Sequence, residues 1–253
     1  MELGLEGKRA IVTGATRGIG RSIVDLLVAE GCDVGFCARN EQQVADAETA
    51  LRASGRAAHG GVVDVTDGSA LRKWITDTAG ALGGLDILIP NASALVGSAS
   101  EDDWRLGMEV DILGTVRAVE AATPFLESSD AAAIVGIAST AAINVSGSVR
   151  AYTGHKAAII AYLSSLSTIL GEKGIRANTV SPGAIYFDGG VWDTRKREKP
   201  DMYAAAVARS PFKRLGTPEE VANAAVFLAS PAASYISGTN LVVDGAATTR
   251  IQF

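Results

Sequence analysis

One feature constrains this chain more than any other: short, nearly continuous apolar runs alternate with longer helical patterns from end to end. The runs fall at 9–13, 33–38, 57–63, 85–90, 132–138, 175–181 and 240–243. Most are stretches of Val, Ile, Leu and Ala without polar alternation, the pattern of strands covered on both faces in a parallel sheet. Helical patterns occupy 18–30, 41–53, 68–82, 104–126, 151–170 and 218–228. The last opens on Thr217-Pro218-Glu219-Glu220, with an N-cap residue, Pro in the first turn and two acids at the positive helix end.

Parallel strands joined through helices require crossovers, and right-handed crossovers place helices on both faces of the sheet. The expectation is therefore an α/β chain: a single-domain Rossmann-type, doubly wound parallel sheet of about seven strands, spanning 1–253. In such folds ligands bind beyond the carboxyl ends of the strands, so the segments after each strand are where chemistry is sought. One segment breaks the rhythm. Residues 184–214 carry Tyr186, Phe187, Trp192, Met202 and the charged run Arg195-Lys196-Arg197-Glu198-Lys199, and are expected to form a lid or binding loop.

Composition narrows the function classes. A net charge of −5 without a basic cluster argues against nucleic acid. No apolar stretch approaches a membrane span, and the start of the sequence lacks the apolar core of a signal peptide. Cys32 and Cys37 are taken as reduced packing residues, which fits a cytoplasmic protein. His59 and His155 stand far apart without companion ligands, so no metal site is expected.

The first strand runs into Thr13-Gly14-Ala15-Thr16-Arg17-Gly18-Ile19-Gly20 and then a helix. Glycines at 14, 18 and 20 let the backbone turn tightly and approach a pyrophosphate, which the free N–H groups of the helix can hold. A turn without a ligand would look the same, but its place after the first strand of a βα series favours a dinucleotide. At the end of the second strand, sites preferring NAD place an acid for the ribose hydroxyls. Here the sequence is Cys37-Ala38-Arg39-Asn40, without an acid. Arg17 and Arg39 can instead flank a 2′-phosphate, so NADP(H) is the expected cofactor.

Catalytic candidates follow the fifth strand. Ser139 ends it, and Tyr152 and Lys156 lie one turn apart on the next helix, so the three side chains can converge at the sheet's edge. Hydride delivery to a carbonyl builds charge on oxygen that a proton must meet. A free phenol, with a pKa of about 10, holds its proton tightly, and one ammonium about 4 Å away adds roughly 4 kcal/mol of preference for phenolate. Ser139 would donate to the substrate oxygen.

With these motifs in order, the chain resembles the short-chain dehydrogenase/reductase family over nearly its whole length. The resemblance rests on T-G-x-x-x-G-I-G at 13–20, Asp64, Asn91-Ala92, Ser139, Tyr152, Lys156, Pro182-Gly183, and Ser237-Gly238 with Val243-Asp244-Gly245. It implies that Asp64 and Val65 contact the adenine, that Asn91 and Ala92 line the cofactor, and that Pro182, Gly183 and Ile185 border the nicotinamide. Thr16, Ile19, Asn40, Tyr152 and Lys156 join the expected cofactor set. It also implies a homotetramer assembled through the helices at 104–126 and 151–170.

Two departures stand out. The family's N-N-A-G is Pro90-Asn91-Ala92-Ser93 here, and Asp111 replaces an Asn that helps hold a water in the family's proton relay. By that position the resemblance keeps Asp111 in the catalytic set with Ser139, Tyr152 and Lys156, though an aspartate, which still accepts hydrogen bonds, adds negative charge near Lys156. The expected activity is NADPH-dependent interconversion of a small-molecule ketone or aldehyde with its alcohol. The apolar lid residues lean it towards a hydrophobic or aromatic ketone. Two alternatives stand beside it: a 3-oxoacyl-thioester reductase, whose carrier or CoA the basic run would meet, and a non-catalytic NADPH-binding sensor or scaffold.

Overall fold

All seven apolar runs become strands of one parallel sheet in the computed structural model, which describes residues 2–144 and 148–249. In chain order the elements begin β1 (Arg9–Thr13), α1 (Gly18–Ala29), β2 (Asp33–Ala38), α2 (Glu41–Arg52), β3 (Ala58–Val62), α3 (Gly68–Ala81) and β4 (Ile87–Ile89). The second half continues with α4 (Glu101–Gly107), a π-helical segment (Met108–Leu113), α5 (Gly114–Leu126), β5 (Ala133–Ile137) and α6 (Ala151–Gly171). It closes with β6 (Arg176–Pro182), α7 (Val191–Glu198), α8 (Pro200–Arg209), α9 (Pro218–Ala229) and β7 (Asn240–Val243). The strand order is β3-β2-β1-β4-β5-β6-β7, so the winding reverses between β1 and β4 and opens a crevice at their carboxyl ends.

Each face of the sheet carries its own apolar core. On one, Val12, Val34, Phe36 and Ile89 pack against Ile23 and Leu27 of α1 and against Val221, Ala225 and Val226 of α9. On the other, Ile11, Leu88 and Ile134 meet Leu71 and Ile75 of α3, Ala118 and Ala122 of α5, and Ile159 and Leu163 of α6. Because both faces are covered, the strands carry apolar residues at successive positions. Gly35, Gly61 and Gly136 let helices close onto the sheet: a Cβ at Gly136 would meet Leu163 Cδ1 at 2.3 Å.

Three expectations need correction. The fourth strand is only Ile87–Ile89, since Leu85 and Asp86 precede the pairing and Pro90 lacks a donor to extend it. There, Asp86 accepts from the Arg9 guanidinium and backbone and from Ser129. The helix expected at 104–126 starts earlier, at Glu101, under a Ser100 cap, and is interrupted by the π-helical segment. The stretch at 184–214 is not one long loop. It folds into α7 and α8, the second opening on Pro200 at its first position.

Cys32 and Cys37 are free and buried, and burial pushes both thiols up to about 12, so neither is a reactive thiolate at neutral pH. Among the described residues, no helix is long and apolar enough to cross a membrane.

Candidate active site

The crevice beyond β1 is built from glycine. Gly14 and Gly18 hold φ of +66° and +57°, in the left-handed region. Gly14 also lies against the chain after β4, where a Cβ would come 2.9 Å from Ala92 Cα. Asn91 braces this approach: its Nδ2 donates to the carbonyls of Thr13 (2.9 Å) and Gly14 (2.8 Å). The backbone N–H groups of Asn91 and Ala92 both donate to Thr13 Oγ1 at 3.1 Å. α1 opens at Gly18 with Arg17 as an extended N-cap residue and no side-chain cap, so the first N–H groups of the helix are left for a ligand.

Around the glycine turn, Arg17 donates to the carbonyl of Gly189 (3.3 Å) and Thr16 to Gln43 (3.1 Å). Arg39 is exposed at the end of β2 and makes no hydrogen bond to the described residues. Its charge helps hold the Asp64 carboxyl below the usual range, an effect led by hydrogen bonds from the backbone and hydroxyl of Thr66. Asn40 caps α2, accepting from Gln43 N at 2.9 Å. Val65 packs on Gly114 at the start of α5. Pro182 ends β6, Gly183 lies against Asp244, and Ile185 bridges to Gly216.

The segment with α7 and α8 leans onto this crevice. The Phe187 ring lies against Gly18 and Gly190, and Tyr186 packs edge-on against Tyr203 while its hydroxyl reaches Asp188 and Asp193. Much of the basic run serves this segment's own packing. Arg195 stacks on Trp192, Lys196 lies over Tyr186 and Tyr203, and Arg197 pairs with Asp193.

On the other side of the crevice, Ser139 follows β5 and caps a short 3-10 turn, its Oγ accepting from Ala141 N at 3.1 Å. Among the described residues it donates to none, so its hydroxyl proton is available to a ligand. Tyr152 sits in the first turn of α6, with Lys156 one turn below and its Nζ 5.7 Å from the Tyr152 ring centre. Lys156 is only 2% exposed, and its Nζ donates to Ile137 O at 3.0 Å and pairs with Asp111 Oδ1 at 3.0 Å. Asp111, fully buried in the π-helical segment, also accepts from Ser93 Oγ (2.6 Å) and Ala94 N (2.9 Å). The two places where the sequence departs from the family pattern are thus in direct contact. The neighbouring His155 turns its Nε2 to the carbonyl of Trp104 (3.1 Å) and leaves Nδ1 without a partner among the described residues.

Sequence reasoning missed Ser93 and Ala94 as partners of Asp111. The hydroxyl of Ser93 was visible, but its partner lies 18 positions away across the β4–α4 connection.

The chain matches the family model described as enoyl-(acyl carrier protein) reductase over residues 14–248. It is 38% identical to isoepoxydon dehydrogenase patN of Penicillium expansum, over 99% of this chain and 98% of that protein. With 3-oxoacyl-[acyl-carrier-protein] reductase FabG of Vibrio harveyi it shares 34% identity over 96% of this chain and 98% of that one. Its fold superposes on a short chain dehydrogenase from Burkholderia cenocepacia J2315, solved in complex with NADP, with a TM-score of 0.86 and 32% identity. That alignment covers 96% of this chain and 98% of the other. Fold, ordered motifs and these likenesses agree: the chain belongs to the short-chain dehydrogenase/reductase family of oxidoreductases.

Proposed function

We propose that this protein is an NADPH-dependent reductase that interconverts a ketone or aldehyde with its alcohol, with Tyr152 as proton donor. The observation that carries this reading is the pairing of Tyr152 with a buried Lys156 one helical turn away, at the same strand ends as the uncapped α1 N-terminus. The glycine cradle fits a dinucleotide, whose pyrophosphate the backbone N–H groups of Gly18, Ile19 and Gly20 would hold. Asp64 and Val65 would border the adenine, Asn91 and Ala92 the cofactor's middle, and Pro182, Gly183 and Ile185 its nicotinamide. When bound, the nicotinamide supplies the hydride.

The chain's own residues do the rest. Ser139 donates its free hydroxyl proton to the carbonyl oxygen and stabilises the charge that develops there. Tyr152 gives its proton to the same oxygen. Lys156 favours the phenolate left behind. The lid, with Phe187 against Gly18, covers the crevice and keeps water from the reacting carbon.

Arg17 and Arg39 would hold the 2′-phosphate, and the relatives solved with NADP or NADPH support that choice. Arg39→Asp removes one charge-assisted contact and adds a repulsive carboxylate. It is expected to shift the ratio of kcat/KM for NADPH over NADH by about 10- to 100-fold towards NADH. A ratio that stays put overturns the assignment of Arg39.

NADPH consumption across a panel of ketones, aldehydes and 3-oxoacyl thioesters tests the function, with NADH as control. Turnover of a panel member supports the reductase and begins to define its substrate. Tight NADPH binding with no turnover on any member would favour the sensor reading. The lid uses Arg195, Lys196 and Arg197 for its own packing, which weighs against a carrier-docking surface there.

A cytoplasmic homotetramer is part of the same proposal. Trp104, Leu106 and Met108 on α4 and the π-helical segment, and Ile169 on α6, are exposed apolar side chains on the helices expected to assemble it. Light scattering of the purified protein gives the mass directly, and a monomer would overturn this part.

A further inference from the structure

Three hydrogen-bond donors converge on one buried carboxylate behind the catalytic helix. Ser93 Oγ and Lys156 Nζ meet Asp111 Oδ1 at 2.6 and 3.0 Å, and the Ala94 N–H meets Oδ2 at 2.9 Å. The cage is made for an ionised group with two accepting oxygens. An amide in this place would turn its NH2 towards either the Ala94 N–H or the Lys156 ammonium, one donor facing another. The position is also held from below, since Thr115 Oγ1 donates to the Asp111 carbonyl at 2.7 Å. The π-helical segment inserts the extra residue that brings the carboxylate to this depth, as such segments often do at functional sites.

We propose that Asp111 is a positioning residue that sets the pH window of the reaction. Its carboxylate fixes Lys156 and offsets that ammonium's charge, so Tyr152 keeps its proton to more alkaline pH than Lys156 alone would allow. The proposal rests on the reading of Tyr152 as proton donor. An isolated ammonium acts on a nearby phenolate as a full charge. Paired with a carboxylate 3.0 Å away, it acts as a dipole, whose field falls faster with distance. Of its three N–H bonds, one goes to Ile137 O and one to Asp111, so a single donor remains for the Tyr152 side.

Other groups also face Tyr152. Ser139 approaches from the end of β5, and Arg150 sits at the N-cap of α6. Arg195 of the lid helix α7 lies within electrostatic reach of both Tyr152 and Arg150, while His155 on α6 is turned away to Trp104 O. None of these is hydrogen-bonded to Asp111, so their charges stay in place in Asp111→Asn, which removes the carboxylate's charge and one of its two accepting oxygens.

The test is a pH profile of wild type and Asp111→Asn. Phenolate absorbance is titrated in each protein with bound NADPH, and the spectrum of the matching Tyr152→Phe protein is subtracted to isolate Tyr152. In Asp111→Asn the Tyr152 transition is expected about one pH unit or more lower, the size of effect one nearby charge has at an effective dielectric near 20. The alkaline fall of ketone reduction and the rise of alcohol oxidation should move by the same amount, because both follow one proton. An unchanged transition in a folded variant that still binds NADPH overturns the proposal. So does a Tyr152 phenolate already present at neutral pH in wild type, a result that needs no folded variant. A transition that shifts while reduction does not follow it instead overturns the assignment of Tyr152 as proton donor.

Discussion

Tyr152→Phe is expected to lower kcat for ketone reduction by about a thousandfold, while NADPH binding stays within a few-fold of wild type. The size follows from what is removed. A positioned general acid contributes typically about 10²–10⁴ in rate, and the side chain lost here is the one next to a buried cation at the strand ends. The phenyl ring keeps the shape of the first turn of α6 and leaves the pair of Lys156 with Asp111 untouched. Structural damage should therefore be small. Steady-state kinetics report the loss, and NADPH fluorescence titration reports the affinity. Activity within tenfold of wild type would show that another group, with Ser139 the nearest candidate, delivers the proton. Lost NADPH affinity alongside lost turnover would show that Tyr152 acts mainly in holding the cofactor.

The same residues show where sequence and structure part company. The sheet was legible because a doubly covered strand must be apolar at nearly every position, as Ile11-Val12 and Ile134-Val135 are. The glycine turn was legible because positive φ at Gly14 and Gly18 leaves a local trace. Tyr152 and Lys156 were legible because a four-residue spacing on a helix fixes their common face. Asp111 was legible as a catalytic candidate through the family position it occupies, but its partners are not local. Its partners Ser93, Ala94 and Lys156 come from the β4–α4 connection and from α6, and no periodicity announces the π-helical segment that carries it. The lid helices were missed for a different reason. α7 has few apolar residues and is held by the Asp193–Arg197 pair and by Lys196 over two tyrosines, contacts a hydrophobic pattern does not register. The sequence does carry a start signal for α8, Pro200 followed by Asp201.

Lys156→Met provides the second large effect, and this one is on stability. Lys156 and Asp111 are 2% and 0% exposed, so methionine fills much of the lysine's space but leaves a carboxylate buried beside it. Removing one partner of a buried pair typically costs about 3–5 kcal/mol, because the remaining charge loses its compensation. The hydrogen bonds from Ser93 and Ala94 persist and should hold the cost to the lower part of that range. For a domain of this size that corresponds to a Tm about 10 °C lower. Lys156→Met combined with Asp111→Leu removes both charges together and is expected to recover at least half of the loss, since apolar replacement of a whole buried pair is often neutral. The two changes must therefore be strongly non-additive, and thermal or denaturant unfolding of the four proteins of the cycle measures that coupling. Turnover is lost in both lysine variants, so stability and chemistry separate within one set of proteins. If Lys156→Met unfolds at the wild-type temperature, the pair is not confined as the distances imply. The carboxylate would then have access to water, and its hold on Lys156, and through it on Tyr152, would be too weak to shape the reaction.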